Sequence, residues 1–158
     1  MKTLRRYHFE DRDYFVTLVT YRREAILLLD IDLFWNSWTA SPPIAWVIMS
    51  DHAHLIVNPG TQTISELMHE FKIRYSRRFR DQFRPGQVWQ NRFWDHAIRD
   101  QEDFNRHVDY IHYNPVKHGD ARDAFEYAYS SLSEFHRQGL YARDWGRKEL
   151  NVVGEFGE

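Results

Sequence analysis

Two runs of strand-forming residues, Ile44 to Met49 and Ala53 to Val57, are separated by little more than the Ser50-Asp51 pair. So short a link leaves antiparallel pairing as the available geometry, because a parallel partner needs a crossover of a dozen residues or more. The middle of the chain is therefore committed to a hairpin. Side chains at i and i+2 of a strand share a face, so His52 and His54 present two imidazoles to one side while Ala53 turns to the other.

Around this hairpin the pattern alternates. Tyr14 to Tyr21 is aromatic and β-branched and reads as a strand. Asp30 is placed to cap a short helix carrying Ile31, Phe34, Trp35 and Trp38, which Ser41-Pro42-Pro43 ends. Thr63 to Arg80 is the clearest helix. It opens on the capping box Thr63-Ile64-Ser65-Glu66, and Ile64, Leu67, Met68, Phe71 and Tyr75 form its apolar stripe. Arg84-Pro85-Gly86 is a loop, and Val88 to Ile98 contains a further strand, best defined over Asp95 to Ile98. Asp100 starts a last clear helix with Phe104, Val108 and Ile111 inward. Pro115 predicts its end near Asn114, since the residue before a proline disfavours helical torsions. The segment through Trp145 reads as irregular or helical packing, with the final residues mobile. The expected class is α+β: an antiparallel sheet with helices packed on one face, in a single domain over residues 1–158.

Composition narrows the function classes. A chain with 42% hydrophobic and 28% charged residues belongs with globular proteins. Cysteine is absent, which excludes disulfides and thiolate metal sites and fits a reducing compartment. No apolar run is long enough to span a bilayer, and the basic N-terminal segment is broken by Glu10, Asp11, Arg12 and Asp13, unlike a signal peptide. A cytoplasmic location is the expectation. The net charge of −2 does not point to nucleic acid, but its distribution does. Lys72, Arg74, Arg77, Arg78 and Arg80 form an acid-free run, while the tail from Glu149 to Glu158 is acidic. On the helix, Arg74, Arg77 and Arg78 share a face that suits phosphates and equally suits solvent. Trp89, Arg92, Phe93 and Trp94 mix rings with cations, which suits unpaired bases; core packing claims such rings as well.

His52 and His54 suit a divalent metal that accepts imidazole, with a third ligand from another element. The plainer alternative packs one histidine and solvates the other. Tyr110 is the candidate nucleophile. At ~100° per residue it falls roughly 120° from the apolar stripe and Asn114 roughly 80°, on the same side and one turn apart. A phenol of pKa near ~10 needs help to attack at neutral pH, and a metal that polarises a phosphate supplies part of it. Tyr113 is the rival nucleophile, projecting further round and away from Asn114. His107 shares the Tyr110 side, as a proton relay or merely a polar neighbour.

His52-Ala53-His54 resembles the HUH motif, and VDYIHYNPVKHG resembles the tyrosine helix of the REP-associated tyrosine transposases, relatives of the single-tyrosine transposases of small insertion sequences. RRYHFEDRDYFVTLVTYRRE, AWVIMSDHAHLIVNP, QVWQNRFWDHAIRD and YSSLSEFHRQGLYARDW extend the resemblance over most of the chain. It implies a ferredoxin-like HUH endonuclease fold and cleavage of single-stranded DNA at repeats that fold into hairpins. The tyrosine takes the 5′-phosphate and leaves a free 3′-hydroxyl. By position, His52, His54 and Asn114 match the divalent-metal ligands, for Mg²⁺ or Mn²⁺, and Tyr110 the nucleophile. The C-terminal resemblance favours this branch over the insertion-sequence enzymes, and with it a monomer over a homodimer. Ala53 departs from the bulky hydrophobe usual between the histidines. A non-catalytic hairpin-binding protein and a metal hydrolase using water are the competing functions.

Overall fold

A computed structural model describes residues 12–147, 150, 152 and 154–158. The N-terminal segment read above as unlike a signal peptide lies almost entirely outside these residues, as does part of the acidic tail. The described chain forms one antiparallel sheet of order β2-β3-β1-β4. Its strands are β1 (Tyr14–Val19), β2 (Ala45–Ile48), β3 (His52–Val57) and β4 (Trp94–Ala97). The helices are α1 (Ile31–Ser37), α2 (Ile64–Gln82), α3 (Gln101–Lys117) and α4 (Leu132–Arg137).

The hairpin forms as its short link requires, with Ile48 opposite Ala53 and Ala45 opposite Ile56. β3 then pairs on its other edge with β1, where Thr17 faces His54 and Val19 faces His52. β1 ends sooner than its strand-forming run, because Arg22 and Arg23 adopt left-handed torsions, both with φ of 53°. In α2 both halves of the capping box are made: Glu66 N–H donates to Thr63 Oγ1 at 3.1 Å and Thr63 N–H to Glu66 at 2.9 Å.

The α+β class with an antiparallel sheet is as expected, but the helices divide between the two faces instead of sharing one. On one face Val16, Leu18, Ala53, Leu55 and Val57 pack with α1 and α2 through Phe34, Phe71 and Tyr75. On the other, Phe15, Ala45, Val47 and Ile56 pack with α3 and α4 through Phe104, Val108, Ile111 and Phe135. The cause is visible in β3, all six of whose residues are buried. A strand apolar on both faces needs cover on both. Ala53 lies on the α2 side and is fully buried there, so the small residue closes the layer behind the histidines.

The second difference is the length of α3, which runs through Pro115 to Lys117. Proline lacks a donor, but the turn is held from beyond it: His118 N–H donates to the Asn114 carbonyl at 3.0 Å and Asp120 N–H to the Pro115 carbonyl at 2.8 Å. Gly119, with φ of 76°, then ends the helix. The helix therefore delivers Asn114 within its last turn, fully buried against the sheet.

At its other end α3 is tied down by Asp103. Its carboxylate accepts from Arg99 N–H at 3.0 Å, His96 Nε2 at 2.7 Å and Arg106 at 2.5 Å. Burial raises its pKa, but the Arg99 N–H bond and the His96 and His107 contacts outweigh this and hold it down at about 2. A depressed carboxylate stabilises the fold fully above its unfolded pKa of ~4 and loses that contribution as pH falls toward the folded value. Asp103→Ala is expected to cost about 2 kcal/mol at pH 7, the scale of hydrogen bonds to a charged group. Urea unfolding of both proteins should show the difference shrinking as pH drops from 7 to 2.5. A difference independent of pH would remove Asp103 from this role.

Candidate active site

The face of β3 turned toward α3 carries His52 and His54, only 2% and 0% exposed, with ring centroids 4.9 Å apart. Each imidazole is oriented from behind. His52 Nδ1 lies 2.7 Å from Asp51 Oδ1, a carboxylate that can only accept, so Nδ1 carries a proton and Nε2 is turned toward α3. His54 Nδ1 lies 2.8 Å from Thr17 Oγ1, whose own hydrogen goes to the Phe156 carbonyl at 2.5 Å. His54 therefore also donates through Nδ1 and turns Nε2 toward α3. This is the arrangement that holds metal-ligating imidazoles in one tautomer.

From α3, Asn114 Oδ1 approaches His52 Nε2 at 3.1 Å. Burial drives the His54 pKa down to about 4. Burial also disfavours charge on His52, but its bonds to Glu158 and Asp51 outweigh that and raise its pKa. His52 Nε2, His54 Nε2 and Asn114 Oδ1 thus gather at one place, where the Glu158 carboxylate now shares protons with both imidazoles. A divalent cation satisfies all three, and the all-nitrogen-and-oxygen donor set fits one.

Tyr110 stands beside this cluster, its ring centroid 5.1 Å from that of His54. Lys117, two helical turns on, donates to its Oη at 3.1 Å and places Nζ 4.8 Å from the ring centroid. Tyr110 was expected on the non-core side of its helix, yet it is 4% exposed. The cover is the C-terminal segment. Phe156 stacks on Tyr110 with centroids 3.8 Å apart and planes 5° from parallel. Glu158 reaches the histidines: Oε1 is 2.6 Å from His54 Nε2 and accepts from Asn114 Nδ2 at 2.8 Å, and Oε2 accepts from Lys117 at 2.9 Å. Phe156 and Glu158 are thereby seated in the site. Burial and the Glu158 carboxylate push the Tyr110 pKa up. Burial alone would also raise that of Glu158, but bonds from His52 and His54 draw it far down.

The other sequence candidates fall elsewhere. Tyr113 is half-buried, its ring 6.4 Å from that of Trp145. His107 donates through Nδ1 to the Asp103 carbonyl at 2.7 Å, and its Nε2 has no partner among the described residues, so no relay to Tyr110 is formed among them. Trp89 is 4% exposed and packs on Phe71 and Tyr75, so core packing claims this ring. Arg74 donates to the Ser37 carbonyl at 2.9 Å and Arg78 to the Asn36 carbonyl, so both satisfy the end of α1; Arg77 is exposed. Lys72 donates to the Gln90 carbonyl at 2.7 Å, beside a cleft of about 650 Å³ also lined by His69, Ile73, Arg80 and Phe93. Arg92 is exposed beyond that cleft.

Thr17, Asp51, Lys117 and Glu158 were not singled out from sequence. Lys117 carried a usable signal, since seven residues after Tyr110 is two turns along one helix face. Asp51 adjoins His52 but read as a turn residue. Nothing local marks Thr17 or Glu158, which reach the histidines across 37 and 104 residues.

Residues 40–114 match the family described as Transposase IS200 like. A Haemophilus influenzae protein assigned to the REP-associated tyrosine transposases is 32% identical over 163 aligned positions, covering 90% of this chain and 93% of that protein. The Escherichia coli REP-associated tyrosine transposase is 38% identical over 64% of this chain and 60% of its own length. Among solved structures, a REP-associated tyrosine transposase bound to a REP hairpin superposes with a TM-score of 0.81 at 29% identity, covering 100% of this chain and 98% of that one.

Proposed function

The chain belongs to the REP-associated tyrosine transposases, enzymes that cleave and rejoin DNA, and on that premise we propose that it nicks single-stranded DNA beside repeat hairpins with Tyr110 as nucleophile. The observation that carries the reading is the convergence of His52 Nε2, His54 Nε2 and Asn114 Oδ1 within reach of the Tyr110 ring.

Tyr110 Oη attacks phosphorus, the P–O3′ bond breaks, and the 3′-oxygen leaves and takes up a proton while the phenol releases its own. One phosphodiester replaces another, so the step is reversible and the 3′-hydroxyl can rejoin. Asp51 and Thr17 keep both imidazoles in the ligating tautomer, and His52, His54 and Asn114 would hold Mg²⁺ or Mn²⁺. When bound, the ion supplies Lewis-acid polarisation of the scissile phosphate. The Lys117 ammonium at Tyr110 Oη favours the phenolate against the burial that opposes it. The DNA partner follows from the hairpin-bound relative. Arg80 on the α2 cleft and the exposed Arg77 and Arg92 are the cations taken to meet phosphates, with Lys72 held by the Gln90 carbonyl, Arg74 and Arg78 by α1 and Trp89 by the core. We take the working unit to be one domain acting as a monomer in the cytoplasm; no helix among the described residues is long and apolar enough to cross a membrane.

The test is a labelled single strand carrying a hairpin, incubated with protein and Mn²⁺ or Mg²⁺ and run on a denaturing gel. A protein-linked band is expected. Free nicked DNA without the band would mean that water is the nucleophile, and no cleavage with a shift on a native gel would mean binding alone.

Glu158 occupies the position a phosphate oxygen would take at the histidines. Glu158→Ala is therefore expected to raise adduct formation at limiting metal by about tenfold, because a closed state that excludes the substrate divides its apparent affinity by the open fraction. The readout is adduct yield against metal concentration. A loss of activity would show Glu158 to be a ligand and not a competitor.

A further inference from the structure

Resting on that reading, we propose that the space filled by the Phe156 ring is the seat of a nucleobase, belonging to the nucleotide that flanks the phosphate attacked by Tyr110. Residues 156–158 then imitate a nucleotide, with the phenyl ring in place of the base and the Glu158 carboxylate in place of the phosphate.

The seat is built for a flat aromatic group. Its floor is the Tyr110 ring, parallel to Phe156 within 5° at a centroid distance of 3.8 Å. That is face-to-face stacking of the kind bases make on aromatic platforms. Its walls are Phe15 and His107, edge-on to the same ring at 5.8 and 5.1 Å. Its distance from the ligand cluster is set by one intervening residue, Gly157, since Glu158 already bonds His54 and Lys117.

A phenyl group leaves one demand unmet. His107 donates through Nδ1 to a carbonyl, which leaves Nε2 as an acceptor, and that atom is buried without a partner among the described residues, in a ring whose centroid lies 5.1 Å from that of Phe156. Phenylalanine has no hydrogen to offer it. A nucleobase carries N–H groups on its edge and does. The ring of Phe156 thus matches the seat in shape and stacking but not in polarity, as expected of a stand-in.

The occupant can be displaced without altering the seat. A Cβ on Gly157 would lie 2.3 Å from both Cβ and Cγ of Trp94, and its φ of +75° further disfavours a side chain. Gly157→Ala should lift the segment while leaving the Tyr110, Phe15 and His107 rings of the seat unaltered, and Phe156→Ala should empty the seat directly.

The probe is the 5′-monophosphate of 2-aminopurine deoxyriboside in Mg²⁺, whose fluorescence is quenched on stacking, with 2-deoxyribose 5-phosphate as competitor. Both variants are expected to quench it and to bind it at least about tenfold more tightly than the unmodified chain and than the sugar phosphate, the scale of one base stacked on an aromatic ring. Adding His107→Phe to Phe156→Ala should weaken the nucleotide and leave the sugar phosphate unchanged, a split that a merely structural histidine would not produce. No quenching in either variant, or equal binding of nucleotide and sugar phosphate, would overturn the proposal and leave the seat to the segment that fills it. The adduct assay on hairpin DNA is scored separately. Adduct without base-dependent binding would keep the nicking activity and reject the seat; base-dependent binding without adduct would do the reverse.

Discussion

Tyr110→Phe is expected to abolish the covalent protein–DNA adduct, with a fall of at least ~10³-fold, the order lost when a covalent nucleophile is removed. The substitution keeps the ring and its stacking on Phe156 and deletes only the oxygen that Lys117 contacts at 3.1 Å. Hairpin binding should change little. Tyr113→Phe is the control, because that ring packs against Trp145 and not against the histidines. Adduct from Tyr110→Phe together with its loss from Tyr113→Phe would reverse the assignment.

The second large effect is expected at the histidines. His54→Ala removes an imidazole that is fully buried and held by Thr17 from behind, so adduct formation at a fixed Mn²⁺ concentration should fall by more than ~10²-fold, beyond the range for residues that only orient a ligand. His52→Ala should behave alike. Thr17→Val leaves both imidazoles and deletes only the support, so a loss of ~10 to 100-fold that excess metal partly restores is the expected outcome. Circular dichroism of each variant separates lost ligation from lost fold. Undiminished cleavage by the unmodified chain in EDTA would sink the metal assignment altogether.

Much of this site was readable from sequence because its parts are local. The hairpin is dictated by a short link, the shared face of His52 and His54 by strand alternation, and the proximity of Tyr110 and Asn114 by one helical turn. The rest depends on contacts that no local pattern encodes. Helical projection put Tyr110 outside the apolar stripe, and so it is on α3 itself, but Phe156 arrives from the far end of the chain and buries it. The two-sided layering has a different cause. Strands such as Tyr14–Val19 and His52–Val57 lack clean alternation of apolar and polar residues, and such runs signal burial on both faces. Pro115 ordinarily stops a helix, while the bonds from His118 and Asp120 that carry α3 past it are formed only in the folded turn. The basic face of α2 shows the limit of charge counting, since the carbonyls of α1 absorb Arg74 and Arg78.

β3 is paired along both edges and buried on both faces. Amides in such a strand exchange with solvent only when the whole domain opens, so those of His52 to Val57 should be among the slowest in the protein, at rates that report global stability. The side chains proposed as ligands, His52 and His54, are thus anchored in the part of the molecule that opens last. An ion entering there would find the histidines already ordered, and its binding free energy would not be spent on folding the site, in contrast to small metal domains that are unfolded without their ion. Adding Mn²⁺ should therefore leave the order of exchange along the chain unchanged and slow β3 only in step with the domain as a whole. Protection gained by β3 alone would mean that the strand was not preorganised.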